Sequence, residues 1–67
     1  MKTLTKAQFD NITKDSKIKI TSNKSSYKKD DNGQKYHQTV IKYVDAKGEK
    51  RTAVREVDMN GTEYYEI

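Results

Sequence analysis

The sequence predicts an α+β fold in which a short N-terminal helix packs on a four-stranded antiparallel β-meander. Three observations lead to this prediction: a helix-capping pattern near the N-terminus, long stretches rich in Val, Ile, Thr and Tyr, and turn-forming pairs such as Asn-Gly between those stretches. The chain has 67 residues and no proline, and it shows no internal repeat and no linker. We therefore expect a single small domain that spans residues 1–67.

The helix is predicted over about residues 5–14. Thr5 and Gln8 have the spacing of a capping box, in which the Thr5 hydroxyl accepts a hydrogen bond from the backbone N–H of Gln8 and the Gln8 side chain accepts one from the N–H of Thr5. Leu4 and Phe9 have the spacing of a hydrophobic staple around this cap. A helix this short needs tertiary contacts to persist. We expect it to dock on the sheet through the apolar side chains Leu4, Phe9 and Ile12.

The strands are predicted from alternation and from the turns between them. Lys17–Thr21 alternates isoleucine with lysine or threonine, as a half-buried strand does. The pairs Asn32-Gly33 and Asn60-Gly61 are strong hairpin signals, because both residue types tolerate positive φ. Asp45–Gly48 has Asp first and Gly fourth, which is typical of a type I turn. These turns divide the chain into strands at about residues 17–29, 35–44, 50–57 and 62–67.

The composition predicts a thin core and a basic surface. Ile, Val, Leu and Phe number only 11 of the 67 residues, and charged residues make up 36%. A domain of this size buries only about 60% of its unfolded surface, so we expect marginal stability. The net charge of +4 is uneven: residues 1–55 contain 14 Lys and Arg against 6 acids, and residues 56–67 contain 4 acids and no base. The basic portion either pairs with the acidic segment or faces a polyanion.

The turns also predict which residues lie opposite each other. A three-residue loop in the second turn places Val40 opposite Val54, and a two-residue loop at Asn60-Gly61 sets the pairing of the last two strands. That last pairing brings two acids, Asp58 and Glu63, opposite each other, which is unfavourable. A bulge or a slip in the last hairpin is therefore an alternative.

The two faces of the predicted sheet differ in polar content. We expect the helix to cover the more apolar face, which holds Tyr36, Val40, Val44, Val54, Tyr65 and Ile67. The other face mixes aromatic, basic and apolar side chains, and it holds Lys35, His37, Ile41, Tyr43, Arg51, Ala53, Arg55, Val57 and Tyr64.

This mixed face is the candidate binding surface. Sheets that bind single-stranded nucleic acid stack aromatic rings on bases and hold phosphates with Arg and Lys. The basic run Lys24–Lys29 adds a charged hairpin arm that is suited to following a phosphate backbone. The structural alternatives are a second small core or dimer contact on the mixed face, and an edge strand whose lysines keep it soluble. The candidate binding residues are Lys28, Lys29, Lys35, His37, Tyr43, Arg51, Arg55 and Tyr64.

Residues for catalysis are missing from the sequence. The chain has no Cys and a single His, so no pairing of a nucleophile with a base is evident. Its three glycines stand singly in turns, and no spacing of metal ligands is present. We expect no enzyme activity, no metal and no cofactor. The lack of an apolar span and of a signal peptide predicts a cytoplasmic protein that does not engage a membrane.

Three functions fit these features. The first is a non-enzymatic regulatory protein that engages nucleic acid (single-stranded DNA or RNA, or a phosphate backbone) or a complex that handles nucleic acid. The second is a protein-binding inhibitor or modulator of a host enzyme or defence complex, since Tyr and Arg also anchor protein interfaces. Being short, rich in Lys and Asn and free of Cys, the chain resembles small accessory proteins of bacteriophages, and this resemblance implies the second function. The third is a homodimeric interaction module.

Overall fold

One helix and five antiparallel strands make up the structure, a computed structural model that describes every residue from 1 to 67. The elements in chain order are β1 (Lys2–Thr3), α1 (Lys6–Lys14), β2 (Lys19–Lys29), β3 (Lys35–Val44), β4 (Lys50–Asp58) and β5 (Gly61–Glu66). The strands form one sheet in the order β1-β5-β4-β3-β2. The α+β class is confirmed, whereas the predicted count of four strands is wrong by one.

The additional strand is β1, which pairs antiparallel with β5 at one edge of the sheet. Lys2 lies opposite Glu66, and the backbone N–H of Leu4 donates to the carbonyl oxygen of Tyr64 at 2.9 Å. Two residues cannot display an alternating pattern, and their partner strand is at the other end of the chain. The local sequence therefore carries no signal for β1.

Helix α1 begins at the predicted capping box. The backbone N–H of Gln8 donates to Thr5 Oγ1 at 3.1 Å, and the N–H of Thr5 donates to Gln8 Oε1 at 2.9 Å. Leu4 and Phe9 are both buried in one cluster, which confirms the hydrophobic staple. Asp15 leaves the helical conformation and so ends the helix. Nine residues are too few for α1 to cross a bilayer, and the structure contains no other helix.

Helix α1 covers the face of the sheet opposite to the predicted one, and that prediction is wrong. The pairing of β1 with β5 explains the difference, because it places Leu4 beside Tyr64 and directs the start of the helix to that side. Ala53 is fully buried there, and its short side chain leaves room for the helix. The cluster on this covered face consists of Leu4, Phe9, Ile12, Ile41, Tyr43 and Ala53, with Ile18 and Tyr64 packed against it.

The other side of the sheet, which we call the open face, has no second layer over it. Val54 is buried there because Val40 and Tyr65 flank it in the sheet, and both flanking residues are half-buried. The open face therefore has a small apolar centre surrounded by polar side chains. The open-face residues of β2, β3 and β4 are Ser22, Lys24, Ser26 and Lys28 of β2, Tyr36, Gln38, Val40, Lys42 and Val44 of β3, and Lys50, Thr52, Val54, Glu56 and Asp58 of β4.

The pairing of β3 with β4 is as predicted, with Val40 opposite Val54. The pairing of β4 with β5 differs from the prediction by two residues: Val54 lies opposite Tyr65, and the turn consists of Met59 and Asn60. Asp58 Oδ1 accepts a hydrogen bond from the N–H of Asn60 at 2.8 Å, which starts the turn one residue early. A slip of two residues leaves every side chain on its predicted face.

Candidate nucleic-acid interface

The eight candidate residues do not form one surface, because Lys28 lies on the open face and the other seven on the covered face, where four of them are held near α1. Tyr43 is only 6% exposed and belongs to the core cluster. The ring of Tyr64 lies 5.2 Å from that of Phe9. Burial raises the pKa of Tyr43, and the negative charge of Glu66 adds to this effect. Both rings are therefore engaged by the core rather than presented to a base.

Arg51 is held by three carboxylates. Its Nε donates to Asp45 Oδ2 at 2.7 Å, its Nη1 to Glu66 Oε1 at 2.6 Å, and its Nη2 to Glu49 Oε2 at 3.1 Å. The hydrogen bond from Arg51 is the main reason that the pKa of Asp45 is lowered, and backbone N–H groups add to it. These contacts connect the β3–β4 turn to the end of β5, and they use all three guanidinium nitrogens.

Arg55 also faces the helix. Its guanidinium carbon lies 5.8 Å from the centre of the Phe9 ring, within the range of a cation–π contact. Its Nη2 donates to Thr39 Oγ1 at 3.3 Å, and its Nε is buried with no hydrogen-bond partner. The Arg55 side chain thus closes the end of the core cluster beneath α1.

The other four candidates, Lys28, Lys29, Lys35 and His37, come together at the free end of the β2–β3 hairpin. Together with Tyr27 they form what we call the tip cluster. Tyr27 is 79% exposed and lies opposite His37, with the ring centroids 5.0 Å apart. Lys29 lies directly opposite Lys35, and like charges in such positions destabilise a sheet unless an anion lies between them. A depression of about 390 Å³ is lined by Tyr27, Lys28, Lys29 and Lys35.

A second basic feature runs along the open face. Lys24, Lys28 and Lys42, which we call the lysine stripe, are exposed and line a depression of about 290 Å³ together with Ser22, Ser26, Gln38 and Val40. Hydroxyl and amide groups thus alternate with ammonium groups along this surface, and all of these groups can donate hydrogen bonds to phosphate oxygens. Lys28 lines both depressions. The other members of the tip cluster project from the opposite face of the hairpin, so the basic surface continues from one face to the other around its free end.

The charges of the open face are separated into two regions. All three ion pairs of the structure involve Arg51, so none of the lysines has a carboxylate partner. The acids Glu56, Asp58 and Glu63 line a separate depression of about 240 Å³ towards β4 and β5, together with Asp30 and Tyr36. Glu56 accepts a hydrogen bond from Gln38 Nε2 at 3.0 Å. Burial raises the pKa of Tyr65 beside it, and the charge of Glu56 adds to that effect.

The candidate set predicted from the sequence omits three residues of this surface: Lys24, Tyr27 and Lys42. Lys24 and Tyr27 stand in the basic run that the sequence does show. Lys42 has no local signal of its own, because it joins the lysine stripe only through the pairing of β3 with β2 opposite Ser22. The set includes the two arginines because alternation cannot distinguish a sheet face under a helix from one that faces solvent.

No group of three or more His, Asp or Glu side chains is arranged to hold a metal ion. The arrangement is instead one of exposed cations, hydroxyl groups and a tyrosine ring on an extended hairpin. Comparison of the chain with known protein families, with curated proteins and with solved structures found no match.

Proposed function

We propose that the chain is a non-enzymatic protein that binds single-stranded nucleic acid along the β2–β3 hairpin. The observation that carries the proposal is the continuity of unpaired positive charge. Lys28 borders both the depression of the tip cluster and that of the lysine stripe, and no carboxylate pairs with a lysine along this path. The basic surface is therefore available to a polyanion.

The geometry of β2 supports contacts to successive phosphates. Lys24 and Lys28 are four residues apart on one strand, about 13 Å, so they engage different phosphates. Ser26 lies between them on the same face, and its hydroxyl can donate a hydrogen bond to a phosphate oxygen. Tyr27 stands between Ser26 and Lys28 in β2, so its exposed ring projects from the opposite face of the hairpin. A strand that passes around the edge of β2 can stack a base on this ring. The lysines supply affinity, and the tyrosine supplies a preference for unpaired bases.

The proposal is tested by measuring binding to a labelled single-stranded oligonucleotide over a series of salt concentrations. Each phosphate contact contributes about 0.7 to the slope of log K against log salt for single strands. Removing the lysine stripe is expected to reduce the magnitude of that slope by about 2 and to weaken binding strongly at low salt. The variant is the triple substitution Lys24→Gln, Lys28→Gln and Lys42→Gln.

A matched control removes the same charge from exposed positions away from the hairpin. Its substitutions are Lys6→Gln, Lys17→Gln and Lys47→Gln, and we expect it to keep most of the affinity. If the two triple variants lose the same affinity for the oligonucleotide, binding depends only on the net charge of the chain, and the assignment of the binding surface to the hairpin is wrong.

Tyr27 is tested by the substitution Tyr27→Ala. Base stacking on an aromatic ring contributes about 1–3 kcal/mol per base, so we expect a loss of roughly 5- to 150-fold for single-stranded ligands and a smaller loss for duplexes. Circular dichroism checks that the variant is folded. Equal losses for both ligand types would contradict a stacking role.

A protein partner is the alternative outcome of the same experiments. If the unmodified chain binds neither DNA nor RNA at low salt, where basic surfaces bind polyanions best, the proposal is wrong. The exposed Tyr27 and its neighbouring lysines would then be a contact surface for an acidic protein, as an inhibitor or modulator requires.

A further inference from the structure

Strand β2 is an edge strand with nothing paired to its outer side. It is eleven residues long and terminates the sheet, and all of its residues except Ser22 are exposed. The opposite edge of the sheet is β1, which has two residues. Long unpaired edges are ready templates for another strand, and proteins usually shorten or cover them. Strand β2 is neither short nor covered by another segment of the chain.

The hydrogen bonds of the hairpin show which backbone groups are free. The N–H of Asp30 donates to the carbonyl oxygen of Gln34 at 3.0 Å, which makes this pair a hydrogen-bonded one. Antiparallel pairs alternate between hydrogen-bonded and non-hydrogen-bonded types, so the N–H and C=O groups of Asn23, Ser25, Tyr27 and Lys29 point outward. The short hydroxyl contact between Ser25 and Thr39, 3.0 Å, agrees with a non-hydrogen-bonded pair.

We propose that a second copy of this chain pairs with the edge, β2 to β2 and antiparallel, with the two-fold axis passing between the two Ser25 residues. Ser25 then forms a hydrogen-bonded pair with its own copy, because its backbone groups point outward. No lysine in the paired segment faces another lysine: Lys24 lies opposite Ser26, Lys28 lies opposite Ser22, and Lys29 reaches the irregular position of Thr21 at the end of the segment. The opposed like charges that usually protect such edges are therefore absent in this register.

The other symmetric registers are less favourable. An axis at Asn23 places the irregular pairing between Ile20 and Ser22 inside the paired segment. An axis at Tyr27 pairs only the five strand residues 25–29, and one at Lys29 opposes that lysine to itself. Axes at Lys24 and Ser26 also match outward backbone groups, but the first opposes Lys24 to itself and the second opposes Lys24 to Lys28.

The surface area also leaves room for a partner. The accessible surface is 5167 Å² for a chain of 7.8 kDa, whereas a compact monomer of that mass exposes about 4,400 Å². The difference of about 800 Å² shows that the chain leaves more surface exposed than a compact monomer of its mass. The projecting hairpin, which gives the molecule a length of 39 Å, accounts for the extended shape.

This pairing would join the open faces of the two copies into one surface. The two lysine stripes would then lie on the same side, with the Lys24 residues diagonal to each other across the axis. A polyanion lying across both stripes would relieve the repulsion between them. This last consequence rests on the function proposed above, whereas the pairing itself does not.

The test uses single cysteines, because the chain has none of its own. Opposed residues of a hydrogen-bonded pair have Cα atoms about 5.5 Å apart, within the range for a disulfide. Ser25→Cys is therefore expected to give a disulfide-linked dimer under mild oxidation. In Asn23→Cys and Tyr27→Cys the two copies of the cysteine are about 13 Å apart, and we expect no cross-link.

A proline variant keeps the inference testable without oxidation. The N–H of Ser25 points outward, so Ser25→Pro removes no hydrogen bond within the chain and is tolerated on an edge. Light scattering is expected to give twice 7.8 kDa for the unmodified chain and a folded monomer for Ser25→Pro. Ser26→Pro, the control, removes a bond to β3 and disrupts the hairpin.

Two results would overturn the inference: a monomeric unmodified chain at several hundred micromolar, or cross-linking at Asn23 or Tyr27 instead of Ser25. These measurements contain no nucleic acid, so they fail or succeed independently of the proposed function. A dimer that does not bind nucleic acid would reject the function alone.

Discussion

Replacing Phe9 by alanine is expected to remove most of the stability of the fold. Phe9 is 4% exposed in the core cluster, its ring lies 5.2 Å from that of Tyr64, and the Arg55 guanidinium lies over it at 5.8 Å. Truncation of a buried Phe costs about 3–5 kcal/mol. A chain of 67 residues has a free energy of unfolding of about 3–10 kcal/mol. The variant should therefore be largely unfolded or close to it.

The assay is urea denaturation followed by circular dichroism. With an m-value of about 1 kcal/mol/M for a small domain, the midpoint should fall by about 3 M or more. Tyr27→Ala is the matched control, because it truncates an aromatic side chain that is 79% exposed. Its cost should stay below about 1 kcal/mol, the value of a cross-strand pair. If Phe9→Ala costs no more than this control, α1 does not cover the face described above.

Two further perturbations test local features. Thr5→Ala removes the cap of α1 and should cost about 1 kcal/mol, measured by thermal unfolding; an unchanged midpoint would contradict the capping role. In the second, Arg51→Gln removes the main cause of the lowered pKa of Asp45. Because the pKa is depressed in the folded state, this contribution is present above the usual pKa of the carboxyl and is lost as the pH falls below about 4. The variant should therefore lose less stability than the unmodified chain between pH 5 and pH 2, and equal losses in acid denaturation would exclude this linkage.

The features that the sequence predicts correctly are local. The capping box, the staple and the turn between β3 and β4 each depend on residues within a few positions of one another, and the turn sets the pairing of the whole β3–β4 hairpin. The last hairpin is also recognised, but its turn is displaced by the hydrogen bond between Asp58 and Asn60. Turns centred on Met59-Asn60 and on Asn60-Gly61 are alternatives at this position, and residue propensity alone does not choose between them.

The covered face is not predictable in this way, because it depends on a contact between distant segments. Both faces have apolar residues with the same period, and the pairing of Leu4 beside Tyr64 decides between them. This choice also divides the candidate site: Tyr43, Arg51, Arg55 and Tyr64 lie beneath or beside the helix. The basic hairpin is unaffected, because Lys28 and its neighbours project beyond the helix on either choice.

The pairing of β1 with β5 has a consequence for the order of folding. Thr3 and Tyr65 are separated by 62 positions, and closing a loop of that length costs about 2.4 kcal/mol more in chain entropy than closing one of four residues. The hairpins are therefore expected to form before β1 and α1 dock. Under this order Phe9→Ala should accelerate unfolding and leave the refolding rate nearly unchanged, which stopped-flow kinetics would measure, and slower refolding would contradict it. The N-terminal segment then determines how long the folded state persists, whereas the hairpins determine how quickly it is reached.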